Sequence, residues 1–189
     1  RRRKRRSGED SRGQMPNRRM IDERPKVVNE RKRIGDWEGD TIEGSKGSGF
    51  IATHVERKTR YTVAVKVADK SADTVTKATI AAMKKLPPEK VKTMTFDNGK
   101  EFAGFKELER GLDMRSYFAR PYHSWERGTN ENTNGLLRQF FPKGMDFGTI
   151  IQSDVDIALE LLNNRPRKCL NYRTPTEVFW SKPMCCASD

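Results

Sequence analysis

The chain has 189 residues, of which 34% are hydrophobic and 34% charged, and its net charge is +12. That length supports one domain with a real core, and the charge points to nucleic acid rather than to an acidic small substrate. No run of about 18 apolar residues exists, so no membrane-spanning helix is expected in these residues, and none of them reads as a signal peptide.

The charge is unevenly spread. Residues 1–35 hold 14 Lys/Arg against 5 Asp/Glu, whereas residues 36–189 are close to balanced at +3. The opening RRRKRR, followed by Gly, Ser, Asn and Pro, reads as a flexible basic arm over 1–33, suited to ordering on DNA by neutralising phosphates. The three cysteines, Cys169, Cys185 and Cys186, are odd in number and lack metal-ligand spacing, which fits a reducing cytosol. Arg1 rather than Met opens the chain, so it reads as a fragment with sequence missing upstream.

Ordered structure is expected from Ile34 to residue 180, with a short tail over 181–189. WEGDTIEG predicts a first strand, and a Gly/Ser loop over Gly44–Gly49 follows. Gly49–Arg57 and Arg60–Val67 are β-branched and aromatic-rich strands, with Lys58-Thr59 closing a hairpin. Ser71–Leu86 is a helix with Ser71 as N-cap, stopped by Pro87-Pro88. Val91–Phe96 is a strand running into Asp97, and a helix between strands is a crossover, so it should lie parallel to the first. A short helix over Glu101–Arg110, a strand over Met114–Ala119, a helix over Thr129–Phe141 and a last helix over Ser153–Asn164 complete the order. The result is βββ-α-β-α-β-α-α, a mixed five-stranded α/β sheet with helices on both faces.

Three acidic residues stand out: Asp40 in GDWEGDTIEG, Asp97 in TMTFDNGKEF and Glu131 in RGTNENTNGLLRQFF, with 33 residues between the last two. If the first and fourth strands are adjacent and parallel, Asp40 and Asp97 emerge at the same sheet edge, where open α/β sheets bind ligands. On a helical wheel centred on Glu131, Arg138 falls near about −20°, Gly135 near about +40° and Asn134 near about −60°. Leu136, Leu137, Phe140 and Phe141 cluster on the far side, so this helix should bury a Leu/Phe face and offer Glu131, Asn134 and Arg138. Gly135, costing about 1 kcal/mol against Ala, leaves the polar face open. Three converging carboxylates suit hard divalent cations, and a two-ion site suits in-line phosphoryl transfer. Glu38 and Glu43 compete with Asp40, since alternation puts Glu38 and Asp40 on one side of the strand. Glu101, read as an electrostatic cap of its own helix, and Glu126 are weaker rivals.

At these residues the chain resembles transposases of the insertion sequence 30 family. The resemblance runs from about Ile21 to Phe179 and is carried by RIGDWEGDTIEG, VERKTRYT, FDNGKEFAGF, ERGTNENTNGLLRQFFPKG and LNNRPRKCLNYRTPTEVF. It implies a ribonuclease H-like fold, shared with retroviral integrases. It also implies an Asp, Asp, Glu triad at Asp40, Asp97 and Glu131 holding two Mg²⁺ or Mn²⁺ ions, and the family pattern is what favours Asp40 over Glu38. The implied activity is cleavage at the ends of a mobile element and joining to target DNA, as a homo-oligomer in the bacterial cytoplasm. The family's upstream helix-turn-helix region has no counterpart here, which keeps two alternatives in view: a non-catalytic DNA-binding fragment, and a metal-dependent nuclease that does not join.

Around the triad, Arg127, Asn134, Arg138, Lys100 and Lys143 are candidate DNA contacts, with Arg165, Arg167 and Lys168 of NNRPRK as a further phosphate contact. His123 reads as a loop histidine, His54 as packing, and Trp37 and Trp125 as anchors rather than base-stacking platforms.

Overall fold

A computed structural model describes residues 15–121 and 123–181. Five strands form one sheet: β1 (Asp36–Glu43), β2 (Phe50–Glu56), β3 (Thr62–Val67), β4 (Thr93–Phe96) and β5 (Arg115–Phe118). Their order is β3-β2-β1-β4-β5. β1 to β3 are antiparallel neighbours, whereas β4 lies parallel to β1, pairing Asp36 with Thr93 and Glu38 with Thr95. The crossover reading is therefore correct, and it sets the end of β4 beside the middle of β1.

Among the described residues six α-helices accompany the sheet: α1 (Lys26–Asn29), α2 (Ala72–Met83), α3 (Phe105–Leu112), α4 (Gly128–Leu137), α5 (Gln152–Asn163) and α6 (Pro175–Trp180). Ser71 caps α2 by accepting from the Thr74 N–H, and Thr174 and Glu177 form a capping box on α6. Strand alternation divides the core between the two faces. Trp37, Phe96, Phe102, Phe118, Val75 and Met83 pack on the α2 and α3 side; Ile42, Ile51, Leu137, Phe147 and Val155 pack on the α4 and α5 side. Trp37 is fully buried, donates its indole N–H to the Lys90 carbonyl and meets Phe179 edge-on, so it is the anchor the sequence suggested.

Two expectations need correction. The start of order near Ile34 falls inside packed chain. Met15 and Val28 are buried, Met20 forms a parallel bridge with Phe118, and the buried Arg24 guanidinium donates to Thr95. This stretch is held by single anchors rather than by a periodic apolar face, so periodicity could not reveal it. Residues 1–14 of the expected arm, and 182–189 of the tail, lie outside the described residues. The β2–β3 connection is also wider than a two-residue hairpin. The Glu56 carboxylate accepts from the N–H groups of Lys58 and Thr59 and from the Thr59 hydroxyl, and Arg60 takes a left-handed backbone at φ 64°.

Candidate active site

Asp40 lies on the α4 side of β1 and Asp97 follows the last residue of β4. Gly39, on the opposite face from Asp40, leaves room for the Phe96 ring: a Cβ there would stand 2.5 Å from it. Asp97 is fixed by its own turn, its Oδ1 accepting from the Gly99 N–H at 2.8 Å, while the Asn98 amide donates to the Ala119 carbonyl and ties that turn to the end of β5.

Between the two carboxylates lies the Arg127 guanidinium, with nitrogens 3.5 Å from Asp40 Oδ2 and 3.3 Å from Asp97 Oδ2. It also donates to the Gly39 carbonyl. Sequence reasoning offered Arg127 to phosphate; in the fold it is mostly buried and turned to the acids. Asn134 donates to Asp40 Oδ2 at 3.0 Å, and the Thr53 hydroxyl, from the residue paired with Asp40 across β2, donates to Asn134 Oδ1 at 3.0 Å. This chain of bonds orients the Asp40 carboxylate. Burial raises the Asp40 pKa; Arg127 and the Thr41 N–H pull it down, and Asp97 and Glu101 push it up.

Helix α4 runs beside β1 in matched steps. Four helical residues rise about 6 Å and two strand residues about 6.6 Å, so Asn130 and Asn134 meet Glu38 and Asp40 in turn. Glu38 accepts from the Asn130 N–H at 2.9 Å and stands 3.0 Å from the Arg57 guanidinium, with almost no exposure. It is thus a buried carboxylate at the start of α4, engaged in holding the helix. Glu101 is buried too, in the first turn of the short 3-10 helix Lys100–Phe102, and makes no side-chain cap hydrogen bond there. It pairs with Lys70 at 2.8 Å and accepts from the Thr41 hydroxyl. Burial works against the Lys70 ammonium, yet Glu101, with Asp97 and Asp40 behind it, holds its pKa above the usual lysine value. Glu126 accepts from the Arg120 N–H, and Glu43 is exposed at the strand end. The sequence missed the Lys70–Glu101–Thr41 group because nothing local links those positions.

Glu131 sits exposed in the first turn of α4. Among the described residues, no three His, Cys, Asp or Glu side chains gather closely enough to hold a metal ion. The structure thus brings two of the three expected acids together and leaves the third on the helix surface. The helix also differs from its wheel. It ends at Leu137, and its buried residues are Thr129, Asn130, Thr133 and Leu137, because the sheet beneath its first half is polar. Leu137 and Phe141 are buried, but Phe140 is 37% exposed. Arg138 donates to the carbonyls of Glu43 and Phe141. Lys100, Lys143, Arg165 and Lys168 are exposed, and Arg167 donates to the Leu162 carbonyl. His123 Nδ1 lies 2.8 Å from the Pro121 carbonyl, and His54 is buried against the Thr79 hydroxyl. The Trp125 side chain lies outside the described residues.

A cleft of about 280 Å³ opens beside Asp97, lined by Asn98, Arg120, His123 and Arg127 among others. The larger groove of the molecule, between β3, α2 and α5, lies away from the carboxylates.

Two acids on adjacent parallel strands, one within β1 and one just past the end of β4, in a mixed five-stranded sheet with helices on both faces, define an integrase-type core. The chain belongs to the integrase core domain family, which it matches over residues 30–124. That span holds Asp40 and Asp97 and ends before Glu131. Its relatives are transposases of the insertion sequence 30 type, as its motifs imply. It is 46% identical over 176 residues to the transposase for insertion sequence element IS4351 of Bacteroides fragilis, covering 93% of this chain and 54% of that protein. It is 42% identical over 159 residues to transposase InsI for IS30A of Escherichia coli (strain K12), covering 84% and 41%. The chain thus spans about half the length of the curated relatives it matches. The fold aligns with a chain of the simian T-cell lymphotropic virus intasome at a TM-score of 0.66 and 19% identity, covering 93% of this chain and 62% of that one. It aligns with the catalytic core domain of BIV integrase at 0.62 and 19%, covering 78% and 94%. The fold is ribonuclease H-like.

Proposed function

We propose that this chain is the catalytic core of a DNA transposase, cutting at the ends of a mobile element and joining them to target DNA. The observation that carries the reading is the convergence of Asp40 and Asp97 on a single cationic group. Two carboxylate oxygens that share one guanidinium also suit a hard divalent ion, which takes oxygen ligands. Asp40 and Asp97 would hold Mg²⁺ or Mn²⁺, with Glu131 completing the set from α4. Bound there, a divalent ion would stabilise the charge that develops on the oxygens of an in-line displacement at phosphorus.

The chain's own residues supply the rest. Asn134 and the Thr41 N–H orient Asp40; the Asp97 turn holds the second carboxylate; Arg127 neutralises both acids. Water attacks one phosphodiester and displaces its 3′-oxygen as a free 3′-hydroxyl, leaving a 5′-phosphate; that hydroxyl then attacks a target phosphodiester and displaces the target's own 3′-oxygen. The active form is an oligomer, since two DNA ends must be brought together. No helix among the described residues is long and apolar enough to cross a membrane.

The test is cleavage and strand transfer on labelled element-end duplexes with Mg²⁺ or Mn²⁺. Wild type is expected to do both, and Asp97→Asn and Glu131→Gln to do neither while remaining folded. Cleavage without joining would assign a nuclease. Full activity in Asp97→Asn would overturn the reading.

A further inference from the structure

We infer that the face formed by Arg31, Arg60 and Thr129 is a second, non-catalytic phosphate-binding site for the DNA backbone. The inference rests on the DNA-processing reading above and adds a contact surface to it.

Three separate segments meet there. Arg31 follows α1, Arg60 lies in the β2–β3 turn, and Thr129 is in the first turn of α4. Arg31 Nη2 and Arg60 Nη1 donate to the same Thr129 Oγ1, at 3.3 and 3.1 Å. Two cations therefore converge on one neutral acceptor. Neither forms an ion pair with a carboxylate among the described residues. Glu38, the acid whose charge reaches Arg31, is already engaged with Arg57 and the α4 backbone. Arg57 is buried and paired with Glu38, so it offers Arg60 only its carbonyl, which accepts from Arg60 Nη1 at 2.6 Å, and brings no carboxylate to Arg31 or Arg60. Arg31 is exposed and Arg60 half-buried, so the face is open to a ligand; partial desolvation, then Arg60, then Arg57 lower the Arg31 pKa, the expected effect of crowding like charges.

Such a cluster is uncompensated in the protein alone, and an anion would compensate it. Phosphate suits it: a guanidinium fork matches phosphate oxygens with paired, charge-assisted hydrogen bonds. A polyanion suits it better than a lone ion, because the positive surface continues. Lys58 reaches back to the Lys32 carbonyl beside Arg31. A phosphate bound here would also brace the first turn of α4, the turn that carries Glu131.

The test is duplex binding by fluorescence anisotropy across a salt series. Each phosphate contact contributes about 0.9 to the slope of log K against log salt, or roughly eightfold in affinity at about 0.1 M. Arg31→Ala and Arg60→Ala should each remove about that much, and the double variant about twice as much. Arg31→Lys and Arg60→Lys should keep the slope. Thr129→Val, which removes only the shared acceptor, should keep it as well. Lys84→Ala at the C-cap of α2 controls for net charge and should leave the slope unchanged. A wild-type slope in the Arg31→Ala/Arg60→Ala double variant overturns the inference, and so does an equal loss in Lys84→Ala. Thermal protection of the wild type by inorganic phosphate at matched ionic strength, with no change in the duplex slope of the double variant, assigns the site to a free anion and also overturns it. Asp97→Asn separates the two readings: lost cleavage with an unchanged slope is the result expected if both hold. A wild type that cuts DNA while the double variant binds like it sinks this inference alone.

Discussion

Glu38 gives the sharpest test of how the site is built, because alternation along β1 makes it a rival of Asp40. In the fold it is a structural anion: it faces Arg57 at 3.0 Å, accepts from the Asn130 N–H at 2.9 Å and has no measurable exposure. Glu38→Ala leaves the Arg57 guanidinium buried without its partner, a loss of about 3–5 kcal/mol. For a chain of this size each kcal/mol moves the melting temperature by about 2–4 °C, so a fall of about 6–20 °C is expected. The first turn of α4 loses its anchor at the same time. The assay is urea and thermal unfolding of Glu38→Ala, Arg57→Met and the double variant. The double variant should recover part of the loss, since the remaining groups are apolar and no charge is stranded. A Glu38→Ala protein within about 1 kcal/mol of wild type, yet devoid of cleavage activity, would refute the reasoning and make Glu38 a direct participant.

Three further outcomes are expected. Gly39→Ala places a methyl 2.5 Å from the Phe96 ring, so overpacking should cost about 1–3 kcal/mol in urea melts and displace Asp40 enough to lower activity. His54 is buried and neutral, with its pKa lowered to about 4 by desolvation. Its folded pKa lies below its unfolded one, so the unfolded state binds the extra proton first. Stability should therefore be full above about pH 6.5 and fall as pH drops towards 4, by up to about 3 kcal/mol, and His54→Gln should flatten that dependence. Arg127→Ala leaves Asp40 and Asp97 without their shared counter-charge, so added Mn²⁺ should raise its melting temperature more than it raises that of wild type.

The sheet was legible because its signals are local. β-branched runs, the Ser71 cap and the Pro87-Pro88 stop each act within a few residues, and the rule for parallel crossovers then sets β4 beside β1. Asp97 was legible because an apolar strand delivers it into an Asn-Gly turn. What escaped depends on pairs far apart in the chain. Arg127 is ordinary in sequence, and only the docking of α4 against β1 turns it toward Asp40 and Asp97. Glu38 and Asp40 share a strand face, and their roles divide only because Asn130 and Asn134 meet them in register. The segment from Met15 to Arg33 lacks a period, yet Met15, Met20 and Val28 pin it to the core. The wheel of α4 failed for a related reason: it ranked faces by hydrophobicity, whereas the sheet beneath the first half of the helix presents Glu38, Asp40 and Thr53.

The central claim is that Asp40 and Asp97, joined by Glu131, hold the divalent ions that serve phosphoryl transfer. Anomalous diffraction from crystals grown with an element-end duplex and Mn²⁺ tests it most directly. The account predicts manganese peaks at the Asp40 and Asp97 carboxylates, with Arg127 displaced from between them and the Glu131 carboxylate within ligand distance. Manganese bound at Glu38 or Glu101 instead, or none near Asp97, would contradict it.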